Sequence, residues 1–134
     1  MSTTRVFLSF APEDAGKVKK LIPLLTCPDY ELDFYDMPED LDFEAEGAEE
    51  ARRAIGEKIT RCSVALCLIG EDTHKSRWVD CHLRKNRNKG NRIIAMAIKG
   101  VQCAVLPAII KEEFLTFYPW DTQKVKALVA SENP

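Results

Sequence analysis

Short apolar runs alternate along this chain with stretches whose apolar residues recur at helical spacing. Residues 5–10 (RVFLSF) are β-branched and apolar and predict a buried strand. Pro12, Glu13 and Asp14 then suit a helix start, because proline fits the first helical position and acids favour the positive end of the helix dipole. Ala15, Val18, Leu21, Ile22 and Leu25 form an inward stripe, with Lys17, Lys19 and Lys20 outside it. Pro23 has no amide hydrogen and is expected to end or kink this helix near Ile22. Residues 30–36 alternate, with Tyr30, Leu32 and Phe34 on one face, and predict a second strand. An acidic segment follows and grades into a helix whose inward face is Ala51, Ala54, Ile55 and Ile59.

Residues 62–69 (CSVALCLI) are apolar on both faces, as a central parallel strand requires, and Gly70 closes them. Ser76 is placed to cap a helix carrying Trp78, Val79, Leu83 and Asn86, which the cluster around Gly90 stops. Residues 92–98 predict another buried strand. Residues 101–113, split by Pro107, are ambiguous between helix and strand. Residues 114–120 supply a short last strand, and Asp121 caps a final helix through Val125, Leu128 and Val129. Strand followed by helix, repeated four or five times, specifies an α/β fold with right-handed crossovers and helices on both faces of a parallel sheet. Such a three-layer, flavodoxin-like open sheet is expected in the order 2-1-3-4-5, as one domain over residues 1–134. Its sites should lie at the carboxyl ends of the strands, which directs attention to the loops 10–14, 36–46 and 70–78.

Composition changes this picture little. Apolar residues make up 46% and charged residues 30% of 134, with a net charge of −2, so the totals favour neither nucleic acid nor a membrane surface as partner. No apolar run approaches the ~20 residues of a membrane span, and residues 1–5 run straight into a strand-like segment, so no secretory segment is expected from them. Five cysteines, an odd number without metal-type spacing, predict free thiols, no metal site and a cytoplasmic location.

The loops decide between users of this fold. A flavin phosphate needs a glycine- and hydroxyl-rich cradle after the first strand, but Phe10-Ala11-Pro12-Glu13-Asp14 has no glycine and two acids. A phosphoacceptor domain needs an aspartate at the end of the third strand, where this chain has Leu68-Ile69-Gly70. The stretch Val6-Phe7-Leu8-Ser9-Phe10-Ala11-Pro12-Glu13-Asp14 instead resembles the opening box of TIR and TIR-like domains. Gly70-Glu71-Asp72-Thr73-His74-Lys75-Ser76-Arg77-Trp78-Val79 resembles their third-helix start, and it is similar in particular to the small TIR-like proteins of Thoeris-type antiphage defence. Lys89-Gly90-Asn91-Arg92-Ile93-Ile94-Ala95 and Trp120-Asp121 continue the likeness in order, over roughly residues 5–130.

The resemblance implies a cytoplasmic role in prokaryotic immune signalling. Its enzymes cleave the nicotinamide–ribose bond of NAD and hydrolyse or cyclise the ADP-ribose, with NAD as substrate and no resident cofactor. Positive charge develops on the ribose in that reaction, and a carboxylate stabilises it. The family's glutamate lies four residues after the helix-opening tryptophan, and here that position is His82. A neutral imidazole can bond a ribose hydroxyl, but it brings no negative charge. Asp80 points about 200° away on the helix, whereas Glu71 or Asp72 could reach the site from the loop. Two functions therefore stay open, an NAD-consuming enzyme and a catalytically silent interaction module. The substrate-binding candidates are Ser9, Phe10, Asp36 and Trp78, with His82 at the catalytic position. Each has a plain alternative: Trp78 as helix packing, Asp36 as a solvated turn acid, His82 as a partly buried helix residue.

Acids crowd residues 36–50, while Lys75, Arg77, Arg84, Lys85, Arg87, Lys89 and Arg92 form a basic run. Self-association is expected through an acidic loop docking on the basic helix of another copy, or else the two are merely solvated faces. A partner protein is the alternative to self-association. The basic helix lacks the interleaved aromatics of a single-strand nucleic-acid binder.

Overall fold

A computed structural model describes residues 4–36 and 41–131. Its elements are β1 (Thr4–Ser9), α1 (Ala15–Leu25), β2 (Tyr30–Asp33), α2 (Ala48–Thr60), β3 (Val64–Ile69), α3 (Arg77–Lys89), β4 (Arg92–Ala97), α4 (Ala108–Glu112), β5 (Phe117–Tyr118) and α5 (Thr122–Ala130). All four ladders are parallel and the sheet runs β2-β1-β3-β4-β5, the order expected from the sequence. The acids Glu39 and Asp40 lie outside the described residues. Among those described, no helix is long and apolar enough to cross a membrane.

Strand alternation sorts the core into two faces. Val6, Leu8, Leu66, Leu68, Ile94 and Met96 meet the stripe of α1 and Val125 and Val129 of α5. Phe7, Cys67, Ile69 and Ala95 face the other way, against α2, α3 and α4. Every residue of β3 is buried, which is why its sequence shows no polar alternation.

Pro23 does not stop α1, which continues to Leu25 with the proline inside it. The residue is exposed in the last turn, and the amide it lacks would have served only the carbonyl of Lys19, itself an exposed residue. The Thr26 N–H still reaches the Ile22 carbonyl at 3.1 Å. The second strand is shorter than its alternation predicts, because its ladder with β1 ends at the pair Phe7 and Asp33. Phe34 nevertheless packs on the same core face as Tyr30 and Leu32. The segment left unassigned contains α4, which starts directly after Pro107. The last strand contracts to two residues paired with Ala95 and Met96.

All three expected caps form. The Ser76 side chain accepts the Val79 N–H at 3.2 Å, and Gly90 ends α3 at φ 94°. Asp121 accepts from Gln123 N–H at 3.0 Å and Lys124 N–H at 3.1 Å. Asp121→Ala is expected to lower unfolding stability by about 1 kcal/mol in urea titration, with an unchanged m-value. A loss below a few tenths would mean that α5 holds by packing alone.

Candidate functional site

β1 ends between β2 and β3 at the sheet's carboxyl edge, and its last residue there is Ser9, fully buried. The Ser9 hydroxyl lies 2.8 Å from Nδ1 of His82, delivered from the first turns of α3. The Phe7 ring meets the imidazole edge-on, with centroids 5.3 Å apart. On the helix side, Asn86 donates to the His82 carbonyl at 2.8 Å and accepts from Asn91 at 2.8 Å. His82 is thus held from the strand and from its own helix.

Only 5% of His82 is exposed. Burial lowers its pKa from 6.5 to about 3, with no neighbouring charge contributing. The ring is neutral near pH 7 and carries one N–H. Nδ1 is occupied by Ser9, while the buried Nε2 has no hydrogen-bond partner. Burial also pushes the Cys67 thiol, the register partner of Ser9 on β3, up to about 12, with the Ser9 hydroxyl opposing the shift.

His82 forms one wall of a slot at the carboxyl ends of β1 and β2, whose other walls include Leu8, Phe10, Pro12, Tyr35 and Asp36. Its volume is about 10 Å³, room for about one water and far below the ~300–1,000 Å³ of ordinary ligand sites. Phe10 is 7% exposed and packs on Phe34 at 5.8 Å, which closes the slot from one side. Asp36 stands at the slot too, and its carboxylate pairs with Lys19 at 2.8 Å on the outside of the protein. Four of the five candidates therefore meet here, with Ser9 reaching the slot through His82.

Trp78 lies apart. Its ring is 4% exposed, touches Phe43 edge-on at 4.9 Å and donates from Nε1 to the Leu41 carbonyl at 2.9 Å. It borders a neighbouring open groove of about 260 Å³, which shares Pro12 with the slot and is lined by both acids and bases, among them Glu13, Asp42, Lys75 and Arg77. The loop after β3 is held from within, since the Gly70 N–H donates to Thr73 Oγ1 at 2.7 Å. A Cβ on Gly70 would stand 3.0 Å from Asp14 Oδ2, so any side chain there would require the Asp14 carboxylate to give way by a few tenths of an ångström. Burial, opposed by Lys17, raises the Asp14 pKa. Asp72 of the same loop pairs with Lys75 at 3.4 Å.

The basic run is largely paired within the chain. Arg77 meets Glu44 at 2.7 Å, Arg84 meets Asp80 at 3.0 Å and Arg87 meets Glu113 at 2.9 Å. The first of these places an acid of the 36–50 segment on its own basic helix. Among the described residues no group of three or more His, Cys, Asp or Glu side chains could hold a metal ion.

Phe7, Asn86 and Tyr35 complete this site and were not singled out for it by the sequence. Asn86 carried a signal, a polar residue in the inward stripe of α3; Phe7 and Tyr35 read as ordinary strand and loop residues.

The family model described as Thoeris protein ThsB, TIR-like domain, matches residues 7–102. The chain belongs to that family. A comparison with curated proteins finds no match.

Proposed function

We propose that this chain is a TIR-like signalling component of antiphage defence that acts through protein contacts, with the NAD chemistry of its fold silent. Family membership supports the signalling role. One observation supports silence: the position of the family's glutamate holds a buried neutral imidazole bound to Ser9, beside a slot of about 10 Å³. Such a group cannot balance positive charge on a ribose, and the slot cannot admit one as it stands.

A second reading, an NAD-cleaving enzyme, draws on the unpartnered Nε2 of His82. If Phe10 and Tyr35 moved apart, a ribose hydroxyl could bond Nε2 with Asp36 supplying the charge, and the neighbouring groove could take the rest of the nucleotide. Nicotinamide release from NAD separates the two. Wild type and His82→Ala are both expected to be inactive, and His82→Glu is expected to gain little, because the slot is closed as well as uncharged. Release by the wild type that His82→Ala abolishes would overturn the silent reading and establish an atypical active site.

A further inference from the structure

Phe114 is 93% exposed and has a positive φ of 53°, so a large apolar ring stands in solvent on a left-handed residue. The position closes α4. The Phe114 N–H donates to the Lys111 carbonyl at 3.2 Å and the Leu115 N–H to the Ile110 carbonyl at 3.0 Å. These are the paired bonds of a helix stop in which glycine is the favoured residue. Leu115 then packs inward on the cluster of Ile109 and Ile110. Exposure and left-handed backbone both disfavour phenylalanine here, and the fold of a single copy makes no use of its ring.

The same edge of the sheet holds a hollow. β5 pairs only with Ala95 and Met96, which leaves Arg92, Ile93 and Ile94 without a strand partner on that side among the described residues. A cavity of about 200 Å³ opens there, lined by Arg92, Ile93, Ile94, Leu115, Tyr118 and Leu128 among others. Arg92 donates from a terminal nitrogen to the Leu128 carbonyl, and its buried Nε has no hydrogen-bond partner. A hollow walled by Ile93, Ile94, Leu115, Tyr118 and Leu128 and edged by the Arg92 side chain suits an aromatic ring, whose body fills the space.

Knob and hollow adjoin, through consecutive residues 114 and 115. We propose that this edge is a self-association surface on which two copies pair about a two-fold axis, with Phe114 of each entering the β4–β5 hollow of the other. A patch carrying both halves of a contact is self-complementary, as a two-fold interface requires. Two inserted rings and their rims bury less than the ~1,200–2,000 Å² of a stable complex, so dissociation on the order of 100 µM is expected. The surface lies at the amino-terminal end of β4, at the far end of the sheet from the His82 slot, and the inference does not depend on the reading of that slot.

Sedimentation equilibrium of the full chain from about 10 µM to about 1 mM tests it, on wild type, Phe114→Gly and Thr116→Arg. Thr116 is exposed and lines the hollow, so arginine there blocks it without entering the core. Wild type is expected to dimerise at the upper concentrations, and both variants to weaken dimerisation at least about tenfold. Phe114→Gly should also melt about 3–5 °C higher as a monomer, because glycine relieves the left-handed backbone, so its lost dimer is not a folding defect. Wild type monomeric throughout, or association that either variant leaves intact, overturns the proposal. Association that high salt abolishes and Phe114→Gly spares would assign pairing to the acidic and basic surfaces instead, and overturns it equally.

Discussion

Acidification from pH 7 to pH 5 is expected to remove about 2 kcal/mol of stability through His82 alone. In the unfolded chain the imidazole takes a proton near pH 6.5, whereas in the fold burial delays protonation to about 3. Between those values the unfolded state binds the extra proton. Stability is therefore intact above about pH 6.5 and falls progressively as pH drops toward 3. The surroundings offer no relief. Ser9, Phe7, Leu8 and Phe10 bring no charge to the ring, and Asp36 is engaged outward with Lys19. Asp14 works in the opposite sense, because its raised pKa makes the fold bind a proton more readily as pH falls. The clean quantity is thus the difference between wild type and His82→Gln, which keeps a hydrogen-bonding partner for Ser9 but does not titrate. Urea titrations at pH 7, 6 and 5 should show the gap between the two closing or reversing by about 2 kcal/mol in favour of the variant. Parallel pH dependences would mean that the imidazole reaches water and that the slot is open in solution. That result would also reopen the catalytic reading.

The second large effect concerns Trp78. Trp78→Ala is expected to cost about 3–5 kcal/mol, roughly a fifth or more of the ~5–15 kcal/mol stability of an ordinary domain. The ring is enclosed with Phe7, Ala51 and Ile55, and it ties the acidic segment to α3 through the Leu41 carbonyl and the Phe43 ring. Arg52 and Arg77 stack near that same Phe43, at 4.9 and 4.6 Å from its centroid, so removing the indole loosens a shared aromatic and cationic cluster. Trp78→Phe should keep most of the packing and lose about 1 kcal/mol with the hydrogen bond. A loss under 1 kcal/mol for Trp78→Ala would contradict the packing role and leave the ring free to serve as a nucleotide platform.

Several features of this protein are legible from residue order alone. Runs such as 62–69 are apolar on both faces because a central strand is covered twice, and the alternation of such runs with helical stripes dictates a parallel sheet. The caps at Ser76, Gly90 and Asp121 are equally local, each satisfying or ending a helix within a few residues. Even the departure at His82 is visible as a spacing from Trp78. Element ends were less legible: how far β2 and β5 extend depends on the length of the neighbouring ladder, and Pro23 survives in α1 because it lies with Lys19 on the exposed face of the last turn.

Tertiary structure decided the chemistry. Ser9 and His82 are 73 residues apart, and no periodicity links them; they meet because α3 crosses the end of β1 on one face of the sheet. Their pairing and the packing of Phe10 on Phe34 are what turn a histidine near a cleft into a neutral group beside a closed slot. The basic run likewise reads as free charge in sequence, yet folding brings Glu44 to Arg77 and Glu113 to Arg87. Periodicity records which way a side chain faces within its own element. Burial, pairing and the room left for a ligand depend on what other elements bring to that side chain, and those contacts exist only in the folded chain.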